Sequence, residues 1–198
     1  MATYDLGLIL DRVLNMQDAV RVGVCGAHGV GKTTLSKKIA KEVNLLYIPE
    51  YARCLIKVPD FDWVASNLLD ATNFERAVYS CYAFTLSFIN RQHKSYISDR
   101  TLIDVAAYCL WHISRGENLE QSESMLKLYN EIINYTKNND FWDIIIFYTT
   151  DGLKPDSCQI FIEGAINSLI YRCFYNKEVI KVKRGDKILL SENTIIEV

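Results

Sequence analysis

Gly26-Ala27-His28-Gly29-Val30-Gly31-Lys32-Thr33, with Thr34 behind it, is the stretch on which the fold turns. It fills the pattern of a glycine, four residues, then glycine, lysine and threonine. Each position has a chemical reason. Glycines let successive backbone N–H groups turn inward around an anion, a lysine reaches the outer oxygens of a polyphosphate, and a threonine hydroxyl is a hard ligand for Mg²⁺. The flanks agree: Val22-Gly23-Val24-Cys25 reads as a short buried strand, and Thr34 to Val43 as a helix with Leu35, Ile39 and Val43 on one side. Strand, loop and helix N-terminus coincide, and that terminus attracts anions on its own account. Gly26 through Thr34 are therefore the expected binding residues for ATP, with Thr33 a ligand for Mg²⁺.

Working outward, residues 4–15 predict a short helix, and Leu45-Leu46-Tyr47-Ile48 a second strand that Pro49 ends. Glu50 and Arg53 follow at once, at the carboxyl end of a strand, where open α/β sheets bind ligands. From Trp63 to Lys94 there is no proline or glycine, and one or two helices are expected. Tyr96-Ile97-Ser98 is a brief strand that delivers Asp99 and Arg100, and Leu102 to Ser114 and Ser122 to Lys137 are further helices. Trp142 to Tyr148 is a near-continuous apolar run of the kind a parallel sheet buries on both faces. A turn at Thr149 to Pro155, in a candidate lid around residues 149–157, leads into a helix from Ser157 to Phe174, a fifth strand at Val179 to Val182, and a small hairpin within residues 183–198 turning at Glu192-Asn193. Strands that alternate with helices predict an α/β fold, a doubly wound, mainly parallel five-stranded sheet with helices on both faces, in one domain spanning residues 1–198.

Composition narrows the classes. The chain has 198 residues, 49% of them apolar, enough to bury a sizeable core. A net charge of −2 and a pI near 5.9 give no whole-molecule field directed at nucleic acid or membrane. The six cysteines are scattered, with no CxxC pair, which fits a reducing cytoplasm. No run approaches the roughly 18 apolar residues of a membrane span, and the expectation is a cytoplasmic protein with no membrane partner.

The phosphate loop alone serves many chemistries, so residues at the other strand ends must discriminate. The only Asn-Lys, Asn176-Lys177, is followed by Glu178 and Val179, so the Asn-Lys-x-Asp base reader of a GTPase is missing. Neither Asp99 nor Asp151 has the acidic neighbour expected of a motor or helicase. What remains is Lys32 and Thr33 in the loop, Glu50 after the second strand and Asp99-Arg100 after the third.

This arrangement resembles small nucleoside and nucleotide kinases. The stretch from Tyr96 to Tyr108, with Asp99-Arg100 and a later Ala107-Tyr108, is similar to the Asp-Arg segment of thymidylate kinases. Ile48-Pro49-Glu50-Tyr51-Ala52-Arg53 and Asp151-Gly152-Leu153-Lys154 look more like nicotinamide riboside kinases, although those place an arginine where Lys154 stands. The resemblance covers most of residues 20–175 and implies an ATP- and Mg²⁺-dependent phosphotransferase.

On that resemblance Lys32, Glu50, Asp99 and Arg100 are the expected catalytic residues. Glu50 takes or orients the acceptor hydroxyl's proton, or it is a first-turn acid favoured by a helix dipole. Asp99 joins Thr33 on Mg²⁺ while Arg100 faces the moving phosphoryl group, or the two form an ion pair at a strand end. Arg53 binds an acceptor phosphate or pairs with Glu50, and Lys154 closes over the phosphates or is an exposed turn lysine. The expected acceptor is a nucleoside, a nucleotide or a relative. The alternatives are a hydroxymethylated pyrimidine in phage DNA, acted on in the host cytoplasm, and a non-catalytic ATP-binding regulator. Oligomeric state is not legible.

Overall fold

The computed structural model describes residues 2–16, 19–56, 68–116, 119–191 and 193–198. Five strands form an all-parallel sheet: β2 (Arg21–Cys25), β3 (Leu46–Ile48), β4 (Tyr96–Asp99), β5 (Ile144–Tyr148) and β6 (Glu178–Val182). Their spatial order is β3-β4-β2-β5-β6, so β2 lies at the centre, with the next strands in sequence to one side and the last two to the other. Every residue of β2, β4 and β5 is buried, whereas the edge strands β3 and β6 are partly exposed.

Helices flank this sheet: α2 (Lys32–Glu42), α3 (Tyr51–Ile56), α4 (Leu68–Asn90), α5 (Leu102–Arg115), α6 (Leu119–Asn138) and α7 (Ser157–Cys173). Helix α2 packs on β3 and β4, while α4, α5, α6 and α7 pack against one another. The predicted helical stretch from Trp63 begins within the described residues at Leu68, and residues 63–67 lie outside them. Helix α5 stops at Arg115 with Gly116 as its cap.

The N-terminal segment differs from the single helix expected there. Thr3–Asp5 form a strand, β1, before helix α1 (Leu6–Met16). Strand β1 pairs in parallel with β7 (Lys187–Ser191), which pairs antiparallel with β8 (Thr194–Glu197), giving a second, three-stranded sheet. Asp186 fastens it, accepting from the Ala2 and Lys183 N–H groups at 2.7 and 3.1 Å. Of the predicted turn at Glu192-Asn193, Glu192 lies outside the described residues.

The end of the parallel sheet opposite the phosphate loop is closed by one buried guanidinium. Arg21 donates to Asp143 through Nε at 3.0 Å and Nη2 at 2.6 Å, to Asn90 Oδ1 at 2.9 Å, and to the Asp140 carbonyl. The two side chains of the Arg21–Asp143 pair are only 10% and 9% exposed. Removing one partner of a buried pair strands the other charge, so Asp143→Ala is expected to cost about 3 kcal/mol in urea unfolding. A loss under about 1 kcal/mol would show that Asn90 and Asp140 suffice to hold Arg21.

Candidate active site

Beyond the carboxyl end of β2 the chain turns through three glycines of positive φ: Gly26 at 146°, Gly29 at 76° and Gly31 at 112°. At Gly26 a side chain is excluded on space as well, since a Cβ there would stand 2.2 Å from the Tyr148 carbonyl oxygen at the end of β5. Gly31 precedes α2 and has no side chain with which to cap it, which leaves the first N–H groups of that helix for an anion. Ala27 and Val30 are buried, His28 and Thr33 half-buried, and Thr34 exposed. Lys32 is buried, and its Nζ donates to the Ala27 carbonyl at 2.6 Å, inside the loop. Burial and the nearby Arg100 push its pKa down to about 8, against the pull of Asp104, Glu50 and Asp99.

The strands beside β2 bring the other expected residues to the same edge. Glu50, buried between β3 and α3, accepts from Arg100 Nε at 2.5 Å on one oxygen and from Arg53 Nε at 2.6 Å on the other. Burial disfavours its charge, but Arg100, Lys32 and Arg53 outweigh that and hold the carboxyl below its ordinary value. Arg53 itself is at the rim, its side chain 62% exposed. Asp99 is fully buried; Oδ2 accepts from the Tyr47 hydroxyl at 3.1 Å, and Oδ1 is buried without a hydrogen-bond partner. Arg100 is buried with φ at 102°, its guanidinium 5.2 Å from the Tyr108 ring centre, and its Nη1 also lacks a hydrogen bond. Lys32, Glu50, Asp99 and Arg100 thus meet in one buried cluster, in which Asp99 Oδ1 and Arg100 Nη1 make no hydrogen bond among the described residues.

Lys154 stands apart. It is exposed, in the loop between β5 and α7, whereas both ends of that loop are tied down. The Thr149 N–H donates to the Val182 carbonyl at 2.9 Å and the Thr150 N–H to Glu163 Oε2 at 2.6 Å. At the other end Asp156 and Gln159 cap α7 reciprocally, at 2.8 and 2.9 Å. Gln159 Nε2 also donates to the His28 carbonyl at 2.8 Å, and His28 Nδ1 lies 3.1 Å from the Tyr108 hydroxyl, so the tip of the phosphate loop is held to α7 and α5.

Sequence reasoning gave no role to Tyr47, Asp104, Tyr108 or Gln159, although Tyr108 stands in the Ala107-Tyr108 pair noted above. Asp104 and Gln159 carried a local sign, each standing three residues after a capping residue, Thr101 and Asp156. Tyr79 and Tyr82 are core, and Tyr82 donates to the Asp99 carbonyl at 2.7 Å. Phe84 is 75% exposed and stacks on Phe88. Among the described residues no three His, Cys, Asp or Glu side chains cluster as a metal cage, and no helix is long and apolar enough to cross a membrane. Mg²⁺ needs no such cage, because it takes one or two protein oxygens, waters and substrate phosphates. The unpartnered Asp99 Oδ1 and the Thr33 hydroxyl fit that requirement.

Comparison with known proteins agrees with this fold. No curated protein matches the sequence. Among solved structures, deoxyadenosine kinase from M. mycoides with bound dCTP superposes with a TM-score of 0.60 at 16% identity, over 82% of this chain and 89% of that one. Thymidylate kinase from Ehrlichia chaffeensis gives 0.54 at 15% identity, over 90% and 91% of the two chains. NadR protein in complex with NAD and AMP-PNP gives 0.57 at 16% identity, over 82% of this chain and 43% of that one. The five-stranded parallel sheet flanked by helices is thus the fold of these nucleoside and nucleotide kinases. The AAA domain family AAA_28 matches residues 21–156, more than half of the chain, and the protein belongs to that family.

Proposed function

We propose that this protein is a Mg²⁺-dependent kinase that transfers the γ-phosphate of ATP to a nucleoside, a nucleotide or a closely related acceptor. The observation that carries this reading is the buried cluster of Lys32, Glu50, Asp99 and Arg100, in which Asp99 Oδ1 has no hydrogen-bond partner among the described residues and Arg100 Nη1 has only the Asp104 carboxylate, at 3.7 Å. Buried polar atoms left unpaired are costly, and they are accounted for if a ligand completes them.

Phosphoryl transfer asks for positioning and charge neutralisation. The amides that follow Gly26, from Ala27 to Thr34, cradle the phosphates and Lys32 reaches their outer oxygens. Thr33 and Asp99 would hold Mg²⁺, which neutralises charge on the β and γ oxygens. Arg100 stabilises the charge on the group in transfer. Glu50, kept ionised by the two arginines, accepts a hydrogen bond from the acceptor hydroxyl and so aims it. Arg53, exposed at the rim, is placed for an acceptor that carries a phosphate of its own. The loop over residues 149–157 closes over the donor, with Lys154 as its free cation. All six cysteines are free thiols, which supports a cytoplasmic location.

The test is transfer of labelled γ-phosphate, with Mg²⁺, to free nucleosides, nucleoside monophosphates, nicotinamide riboside and DNA carrying ordinary or hydroxymethylated pyrimidines. Label on a nucleoside or nucleotide is the expected result. Label only on the modified base in DNA would move the acceptor to nucleic acid, and ATP binding without transfer to anything would make the protein a regulator instead.

A further inference from the structure

Asp104 is fully buried, and its carboxylate makes more contacts than a helix start requires. Oδ2 accepts from the Thr101 N–H and from Thr101 Oγ1, both at 2.9 Å, which closes the first turn of α5. Oδ1 accepts from the Gly26 N–H at 3.1 Å, the first amide of the phosphate loop, and lies 3.7 Å from Arg100 Nη1. A cap alone is served by an exposed acid, whereas burying an ionised carboxylate carries a desolvation penalty that partners must offset. Those partners are Arg100 and Lys32 as charges and three donors as hydrogen bonds, and they offset it only in part: burial outweighs them and keeps the carboxyl above its ordinary value. Arg100 supplies a second reason. Its φ of 102° is a strained one for a residue with a side chain, and it persists only where the neighbours over-determine it. The Arg100 N–H donates to the Val24 carbonyl at 2.9 Å, and the residue that follows, Thr101, is the one Asp104 grips.

We infer that Asp104 is a positioning residue: one carboxylate locks the first amide of the phosphate loop, at the end of β2, to Arg100, at the end of β4. The donor phosphates and the guanidinium that faces them then keep a fixed register. The inference rests on the kinase reading for the transfer step and not for nucleotide binding, so the two fail separately.

Asp104→Asn keeps the volume and one acceptor for Thr101, and loses the charge and the acceptor for Gly26. Thr101→Val breaks the cap hydroxyl bond and leaves Gly26 and Arg100 untouched. Both variants, with the wild type, are compared for melting temperature, for affinity toward Mg²⁺ with a non-hydrolysable ATP analogue by calorimetry, and for kcat on the acceptor found above. Asp104→Asn is expected to weaken analogue binding ~10-fold and to lower kcat ~100-fold, the scale on which small misplacements act. Thr101→Val is expected to lower the melting temperature with both quantities within about twofold of wild type. Unchanged analogue affinity in Asp104→Asn, or the same losses in Thr101→Val, would reduce Asp104 to a cap and overturn the inference. Should Asp104→Asn not fold, Asp104→Glu, which keeps the charge but displaces it by one methylene, carries the same comparison. If the wild type transfers phosphate to nothing, the affinity arm still decides.

Discussion

Replacing Lys32 with methionine is expected to weaken binding of an ATP analogue by at least ~100-fold, the scale seen when one partner of a buried charge pair is truncated. The amine is buried and donates to the Ala27 carbonyl, inside the loop that leads into the uncapped start of α2. Methionine fills similar space without a donor or a charge. Calorimetry with the analogue reads the effect directly, and affinity within about threefold of wild type would remove Lys32 from the nucleotide site.

The same amine lowers the stability of the nucleotide-free protein. Its pKa is about 8 when folded, against an ordinary value of 10.5. Below pH 8 the lysine is protonated in both folded and unfolded chains, and the penalty of burying its charge is complete. Between 8 and 10.5 the unfolded chain keeps a proton that the folded one has released, so stability rises with pH; above that window the penalty is gone. Wild type is therefore expected to gain on the order of 3 kcal/mol relative to Lys32→Met between about pH 7 and pH 11. Taking the difference between the two proteins cancels groups that titrate in both, and urea unfolding at each pH measures it. A flat difference would mean that Lys32 is solvated in the free protein.

Much of this architecture was legible because its signals are local. The apolar runs at Val22, Ile97 and Ile144 are buried on both faces and became the three central strands, and the glycine spacing fixed the loop between β2 and α2. What stayed hidden depends on contacts between distant parts of the chain. Thr3-Tyr4-Asp5 has no apolar alternation, and it is a strand only because β7, from the other end of the sequence, offers it a partner. Trp142 reads as the first residue of a strand, yet it lies before β5, where its indole N–H reaches Ser98 Oγ at 2.9 Å. Asp104 has a capping-box position within reach of sequence reasoning, but its bond to Gly26 joins residues that only the pairing of β2 with β4 brings together. Glu50 and Arg53 were open to two readings because a spacing of three residues suits an ion pair and a shared ligand alike. The pair does form, and Arg100 joins it from just beyond the end of β4.

That three-way contact makes Glu50→Gln the most discriminating substitution. The side chain is buried, and each of its oxygens holds one arginine. Glutamine keeps the shape and one acceptor but withdraws the charge, so Arg100 loses its strongest partner and keeps Asp104 at 3.7 Å. It also turns two N–H donors toward a guanidinium or toward the acceptor hydroxyl, neither of which can use them to hold the aim. Nucleotide binding draws on the loop and Lys32, which this change leaves in place, so affinity for the ATP analogue is expected to stay within about threefold of wild type. Transfer needs Arg100 and the acceptor aligned, and kcat is expected to fall ~1,000-fold, the scale of losing one preorganised electrostatic partner together with proton-accepting help. An equal loss in affinity and kcat would instead mean that Glu50 builds the site as a whole, and an unchanged kcat would take it out of the reaction, leaving the Glu50–Arg100 pair as a strut between β3 and β4.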